Sequence, residues 1–406
     1  MVKVSLSKAL LRRIPEGQPN ALLWVNVKSL EEKAKLLVIR DLHRLGWRSR
    51  FSAESVTMTP PDTYSKEIIR ESMSLRRADH MVANAKWLER MLPIVRENLA
   101  SGKDVLESSV KPRFEVCKTA KQMALFRALR HYWSSPYTDY VGRRIRIIIR
   151  DDGLPTSPVL GIAAIGSSII HIPERDDWVG WDTQTRSNRI IYTMDAYVLG
   201  AIPPYNHLLG GKLVAYMLAS NEFRRIYKRK YQSAVTNIKK RKASHLVCLF
   251  TTGLYGKSAQ YNRIRYAGQN LYHPVGYTKG FGSLHLSDET FDVMLQFLRE
   301  AGIEMPNRFG DGPNWRMRVI RTAGALLGFD KDFLLRHSFK RSIYAVPLAE
   351  NWQEYLQGKA RAPQFHDWPL DDLIDHWRRR WLEPRRQRLD VIQSLECFSP
   401  KDFSYL

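Results

Sequence analysis

The chain has 406 residues, enough for two or three domains with a substantial core. Hydrophobic residues at 44% and charged residues at 26% are those of a folded chain and exclude global disorder. Lys and Arg total 64 against 41 Asp and Glu, and the net charge of +23 points to a polyanionic partner, nucleic acid foremost. In chain order, Ser29-Leu30-Glu31-Glu32 opens a helix carrying Leu36, Leu37, Ile39, Leu42 and Leu45 that stops near Gly46. Thr59-Pro60-Pro61-Asp62 is a break. Helical periodicity returns over 64–100, with Leu75, Met81, Trp87, Leu88, Met91, Leu92 and Ile94, and again over 119–134.

The pattern changes near Tyr140. Arg143 to Arg150 (RRIRIIIR) is rich in β-branched residues, Asp151-Asp152-Gly153 is a turn signal, and Pro158 to Ile165 is a second strand. Ile190 to Ile202 is a third, broken by Pro203-Pro204, and Leu208 to Ser220 reads as a helix. His245 to Thr252 is a strand of the buried type. A short helix and a Gly-rich β-segment, Tyr272 to Leu286, follow, and from Asp288 onward the chain reads as helical. We therefore expect an α+β fold: a helical part at 1–135, a mixed-sheet core at 136–290 and a helical, basic part at 291–406. Cys117, Cys248 and Cys397 have neither zinc-ligand spacing nor the number of a disulfide framework. The N-terminus lacks a signal-peptide core, and no apolar run reaches the roughly 18 residues of a membrane helix, so a cytoplasmic protein without a membrane partner is expected.

Several phrases are too specific to be composition. They are YVGRRIRIIIRDDG at 140–153, LGIAAIGSS at 160–168, ERDDWVGWD at 174–182, MDAYVLGAIPPYNHLLGGKLVAYMLAS at 194–220, TTGLYGKSAQYNR at 251–263 and VGYTKGFGSLHL at 275–286. Over roughly residues 115–300 the chain resembles the DruA family of the Druantia anti-phage defence systems. That resemblance implies action against phage nucleic acid, DNA above all, together with other Druantia-type proteins, a helicase among them.

The order of elements in the core also resembles the GNAT acyltransferase fold. In that fold a splayed strand ends in a turn whose free N–H groups meet the pyrophosphate of an acyl-CoA at a helix start. The resemblance places that turn at Asn206, His207, Leu208, Leu209, Gly210, Gly211 and Lys212, and it implies an acyl-CoA as cofactor. Departures are His207, where Gln or Arg is usual, and Pro203-Pro204 before the turn. The same residues fit a tight helix entry in which the glycines serve backbone geometry. By the same resemblance Tyr261 falls where a Tyr serves as general acid to the leaving thiolate; it also fits a packed core tyrosine.

Other chemistries leave weaker marks. TTGLYGKS at 251–258 has Thr251 where a phosphate loop requires its first Gly, which leaves Lys257 and Ser258 as phosphate contacts only. Asp151, Asp152, Glu174, Asp176, Asp177, Asp182 and Asp195 cluster in sequence as a metal-dependent nuclease would need; the first two also read as a hairpin turn, and Asp176 and Asp177 beside Arg175 and Arg186 as ion pairs. His171, His207, His245, His273 and His285 show no ligand spacing. Trp178 and Trp181 fit either base stacking or anchoring of their loop.

Charge concentrates in two places. Residues 223–242 hold nine Lys and Arg and no acid: Arg224, Arg225, Lys228, Arg229, Lys230, Lys239, Lys240, Arg241 and Lys242, interleaved with Tyr227 and Tyr231. Arg378, Arg379 and Arg380, with Arg385, Arg386 and Arg388, form the second cluster beside Trp377 and Trp381. Both are candidate phosphate-backbone surfaces. Three functions stay open at this level: a nucleic-acid-binding defence component that works with partners, an acyl-CoA-type transferase acting on nucleic acid or protein, and a metal-dependent nuclease.

Overall fold

The computed structural model describes residues 1–12, 27–52, 54–62, 64–133, 142–236, 240–283, 285–306, 313–330, 332–337 and 339–405. The chain forms two compact units, and neither is a continuous segment. One is built from Met1–His80 and Lys279–Lys340, the other from Met81–Trp133, Tyr140–Thr278 and Arg341–Leu406. The expected consecutive parts are thus interleaved, because segments distant in sequence pair within one sheet and one core.

In the first unit, strands β1 (Val2–Ser5), β2 (Arg48–Phe51) and β3 (Ser55–Thr59) form an antiparallel sheet in the order β1-β3-β2. These strands stand in a region expected to be mostly helical. They are four or five residues long with polar interruptions, too short for a period-2 signal to emerge. The helix Leu30–Arg44 is capped by Ser29 and carries Glu31 and Glu32 in its first turn, where negative charge meets the positive end of the helix dipole. Its buried Asp41 accepts hydrogen bonds from the Ser287 N–H at 2.7 Å and the Thr290 hydroxyl at 2.5 Å, tying it to the start of the helix Asp288–Glu300.

The second unit is a seven-stranded mixed sheet with helices on both faces. Its strands are β4 (Pro112–Val116), β5 (Arg144–Asp151), β6 (Val159–Ser167), β7 (Thr193–Ala201), β8 (Cys248–Gly253), β11 (His273–Tyr277) and β12 (Ser342–Pro347). The short pair β9 (Arg265–Tyr266) and β10 (Gln269–Asn270) stands apart. The order is β11-β12-β8-β7-β6-β5-β4, antiparallel throughout except for β7 beside β8. Side chains of β5 alternate between two cores. Ile145, Ile147 and Ile149 meet the helices Gly210–Ala219 and Asn221–Tyr231, while Ile148 joins Leu125, Phe126 and Leu88 on the opposite face. That double burial explains the apolar run of RRIRIIIR. Strand β12 departs from the helical expectation for 291–406: all six of its residues are buried between β8 and β11. Its run SIYAVP is β-branched and aromatic, but surrounding helical periodicity masked it.

Candidate nucleic-acid interface

Ser220 caps the basic helix Asn221–Tyr231 by accepting the Phe223 N–H at 3.2 Å. Phe223, Ile226, Tyr227 and Tyr231 recur at helical spacing and are buried, so Arg225, Lys228 and Arg229 are turned outward. The helix is fastened by polar contacts beneath it. The Arg143 guanidinium donates to the Tyr227 hydroxyl and to the Thr193 carbonyl at 3.2 Å, and the Tyr231 hydroxyl meets the Arg144 carbonyl at 2.9 Å.

The basic residues of this helix divide by role. Arg224 turns inward, donating to the Asn221 side chain and to the His366 carbonyl at 2.6 Å, with its guanidinium 4.5 Å from the Phe365 ring. Arg225 pairs with Glu222 at 2.8 Å on the surface. Lys230 donates to the Arg144 carbonyl at 2.8 Å. Its ammonium pKa is held below the usual lysine value, first by partial burial and then by the charges of Arg144 and Arg146 on β5. Positive charge at Lys230 therefore adjoins that of Arg144 and Arg146. Arg144 and Arg146 were legible only as part of a strand; their alternation with Ile145 and Ile147 was the available signal.

Of the following segment, Lys240 and Lys242 are exposed, Arg241 donates to the Ser187 carbonyl, and Lys239 lies outside the described residues. Lys257 is exposed in the turns after β8; no helix follows them as a phosphate loop would require. In the second cluster Arg378 is bound to Asp375 and to the Val110 carbonyl, while Arg379 and Arg380 are exposed.

The turn expected to cradle a pyrophosphate is packed shut. Strands β7 and β8 pair only at Thr193–Asp195 and Cys248–Phe250, and β7 bulges against β6 between Ala196 and Val198. Beyond that ladder the Thr251 hydroxyl donates to the Ala196 carbonyl at 2.8 Å, and the Gln260 amide donates to the carbonyls of Leu199 at 3.4 Å and Gly211 at 3.2 Å. The Lys212 ammonium is buried on the carbonyls of Ala259 at 2.6 Å and Gln260 at 3.1 Å, 4.5 Å from the Trp381 ring. A Cβ on Gly210 would stand 2.8 Å from the Ala201 Cβ and the Tyr205 carbonyl oxygen, and one on Gly211 3.1 Å from Gln260. Both glycines thus serve close approach. Leu209 holds φ +58° with its carbonyl on the Trp377 indole, Asn206 is exposed, and Arg385 donates to the His207 carbonyl at 2.9 Å. These residues do not fit an acyl-CoA pyrophosphate.

Tyr261 is buried, stacked on Tyr272 at 5.1 Å and packed on Tyr344 at 5.0 Å. Burial pushes its phenol up to about 12, against a hydrogen bond with Thr251. Nothing presents that proton to a reacting group. The two indoles are likewise used internally: Trp181 donates to the Leu356 carbonyl at 2.7 Å, and Trp178 stacks on Trp352 at 4.2 Å. Trp178 lies on the helix Pro173–Val179, which ends at Gly180 with φ +79° just before Trp181.

Four of the seven acids, Asp151, Asp152, Asp176 and Asp182, are committed to internal contacts, whereas among the described residues Glu174 and Asp195 each keep one buried oxygen without a hydrogen-bond partner. Asp151 accepts from Ser108, Tyr205, and the N–H groups of Lys111 and Gly153 at 2.7–3.0 Å. Asp152 pairs with Arg113 at 2.6 Å, Asp176 meets Arg175, Arg186 and His171, and Asp182 caps the helix Thr183–Arg189. Asp195 is buried; burial pushes its carboxyl up to about 6, opposed by Arg175. Among the described residues no three His, Cys, Asp or Glu side chains gather as a ligand set.

The family model for Druantia protein DruA matches residues 63–358. The chain belongs to the DruA family. It is 34% identical over 369 residues to the Druantia protein DruA of Escherichia coli (strain UMEA 4076-1), covering 90% of each chain. No solved structure matches. As a DruA-family member the protein is an anti-phage defence component. The basic helix and β5–β8 lie inside the span matched to DruA, and the Arg378–Arg380 cluster lies beyond it. Among the described residues no helix is long and apolar enough to cross a membrane.

Proposed function

We propose that this DruA-family protein binds nucleic acid, DNA above all, through the outward row of the Asn221–Tyr231 helix and the adjoining arginines of β5, and acts with other Druantia components, a helicase among them. The observation that carries the reading is the outward row of positive charge: Arg225, Lys228 and Arg229 are exposed on a helix whose Lys230, lowered first by burial and then by Arg144 and Arg146, donates to the Arg144 carbonyl. A row of phosphates would neutralise that charge and release counterions. Lys240, Lys242 and Lys257 are further backbone contacts of the same kind, with sequence read through shape and not through a base code.

The mixed sheet also supports a GNAT-like reading of the core, on the strength of the parallel β7–β8 pair that ends after three residues and the bulge facing it. Acyl transfer is disfavoured by the buried Lys212 and by Gln260 in the gap, and fold by itself carries no activity. A nuclease is disfavoured by the internal commitments of Asp151, Asp152 and Asp176.

The test is a salt-series titration of the full chain and its R225Q/K228Q/R229Q variant against single- and double-stranded DNA. With roughly 0.9 counterion released per phosphate contact on B-DNA, the variant's slope of log Kobs against log salt should be shallower by up to about 3. Equal slopes for the two proteins would remove this surface from the function.

A further inference from the structure

A second basic site lies in the same unit, away from the exposed row of the basic helix. The Gly210–Ala219 helix, the segment carrying β9 and β10, and the end of the helix Leu370–Trp377 border a half-open cavity of about 500 Å³. Its wall contains Arg263, Arg265 and Arg380, the amides of Asn262 and Asn270, and the rings of Tyr216 and His376. Among the described residues no carboxylate lines it. Asp367 and Asp372 act on Tyr266 nearby and are not part of the wall.

Among the described residues none of the three guanidiniums lies within ion-pair distance of an acid, whereas their neighbour Arg378 is paired with Asp375. Like charge accumulates around them. Lys212 is pushed down to about 8, first by burial and then by Arg263; His376 is lowered by burial and then by Arg379 and Arg380. Such crowding without a counter-charge inside the protein is complementary to an anion from outside it.

The wall beneath the arginines is rigid. The Tyr216 hydroxyl donates to the Arg265 carbonyl at 2.9 Å, and the His376 ring packs edge-on between Tyr216 at 5.6 Å and Tyr266 at 5.5 Å. Arg380 lies 5.3 Å from the Trp381 ring, on a single π-helical turn, Arg378–Leu382, of the kind that recurs at functional sites. That turn sends Arg378 to the Val110 carbonyl and leaves Arg380 on the cavity.

We propose that this cavity binds a nucleoside phosphate, its phosphate held by Arg263, Arg265 and Arg380 and its base and sugar met by Asn262, Asn270 and His376, with the buried Tyr216 closing the floor behind them. Guanidinium forks match phosphate oxygens pairwise, and the volume falls in the range of roughly 300–1,000 Å³ of small-ligand sites. The phosphate is supplied by a free nucleotide or by the end of a nucleic-acid strand; in the second form the inference rests on the nucleic-acid reading above.

The experiment uses the full chain, an R263Q/R265Q/R380Q variant and, because these side chains could also steady the fold, R380Q alone, each checked by melting temperature. Adenosine monophosphate and adenosine are titrated calorimetrically. A 5′-phosphorylated 12-nucleotide DNA strand and its 5′-hydroxyl counterpart are compared by anisotropy. Preference of at least tenfold for adenosine monophosphate over adenosine assigns a free nucleotide, and the same preference for the 5′-phosphorylated strand assigns a strand end. In either case the triple variant should lose that preference, R380Q should reduce it, and R225Q/K228Q/R229Q should keep it while losing salt-sensitive duplex binding. No preference for phosphate in either pair, or a preference unchanged in the triple variant, overturns the proposal without touching the basic-helix reading.

Discussion

Replacing Arg175 with Met should destabilise the second unit severely, and the size of the loss follows from the contacts removed. Arg175 is fully buried. It donates twice to one Asp176 oxygen, at 2.9 and 2.6 Å, and to the carbonyls of Ile169 at 2.6 Å and Ile170 at 3.2 Å. Its guanidinium lies 5.6 Å from the rings of both Trp181 and Phe250. Met fills the space but leaves a buried carboxylate oxygen and two carbonyls short of donors. Breaking a buried, hydrogen-bonded ion pair from one side costs about 3–5 kcal/mol. For a unit of this size each kcal/mol moves the midpoint by roughly 2–4 °C, so the R175M melt should fall by about 6–20 °C. Differential scanning calorimetry of wild type, R175M and R175K reads the effect, with R175K intermediate because one ammonium cannot reproduce the fork. A fall in R175M worth under about 1 kcal/mol, small beside the 3–5 kcal/mol of a buried pair, would refute the view that this network holds the ERDDWVGWD segment in place.

Two further predictions concern the same sheet. Asp195 has its folded pKa raised to about 6 from an ordinary 3.8, so its contribution is present below the unfolded value and lost as pH rises through about 6. Across that window stability should drop by up to about 3 kcal/mol in wild type, and D195N, uncharged at every pH, should not show this component; parallel melting curves from pH 4 to 7 for both would sink the assignment. G210A places a Cβ 2.8 Å from Ala201 and Tyr205 and should cost about 1–3 kcal/mol by overpacking, with no change in the salt slope of DNA binding; a changed slope with an unchanged melt would return that turn to phosphate binding.

Elements whose cause is local can be read from the residues alone. Ser29 announces a helix start because a hydroxyl satisfies a free N–H there, and the buried runs at Arg144–Asp151, Val159–Ser167 and Cys248–Gly253 declare themselves strands through β-branched residues, whereas the helix start at Ser220 is missed because the preceding helix reads through to it. The excess of positive charge and its concentration over residues 223–242 were equally visible; that Arg225, Lys228 and Arg229 form the outward row of a helix came from the fold, since an amphipathic helix exposes what its apolar stripe does not bury. Which charges are spent inside the protein depends on the assembled fold. Lys212, Arg224 and Arg378 read as phosphate ligands but are bound to carbonyls and side chains, whereas Arg263 and Arg265 passed unremarked and share a cavity with Arg380. The physical reason is reach: a long basic side chain meets whichever acceptor the fold brings near, and those acceptors, Ala259, His366 and Val110, lie tens to hundreds of residues away in the chain. The same distance hid β12, whose place next to the edge strand of the sheet depends on partners at Cys248–Gly253 and His273–Tyr277.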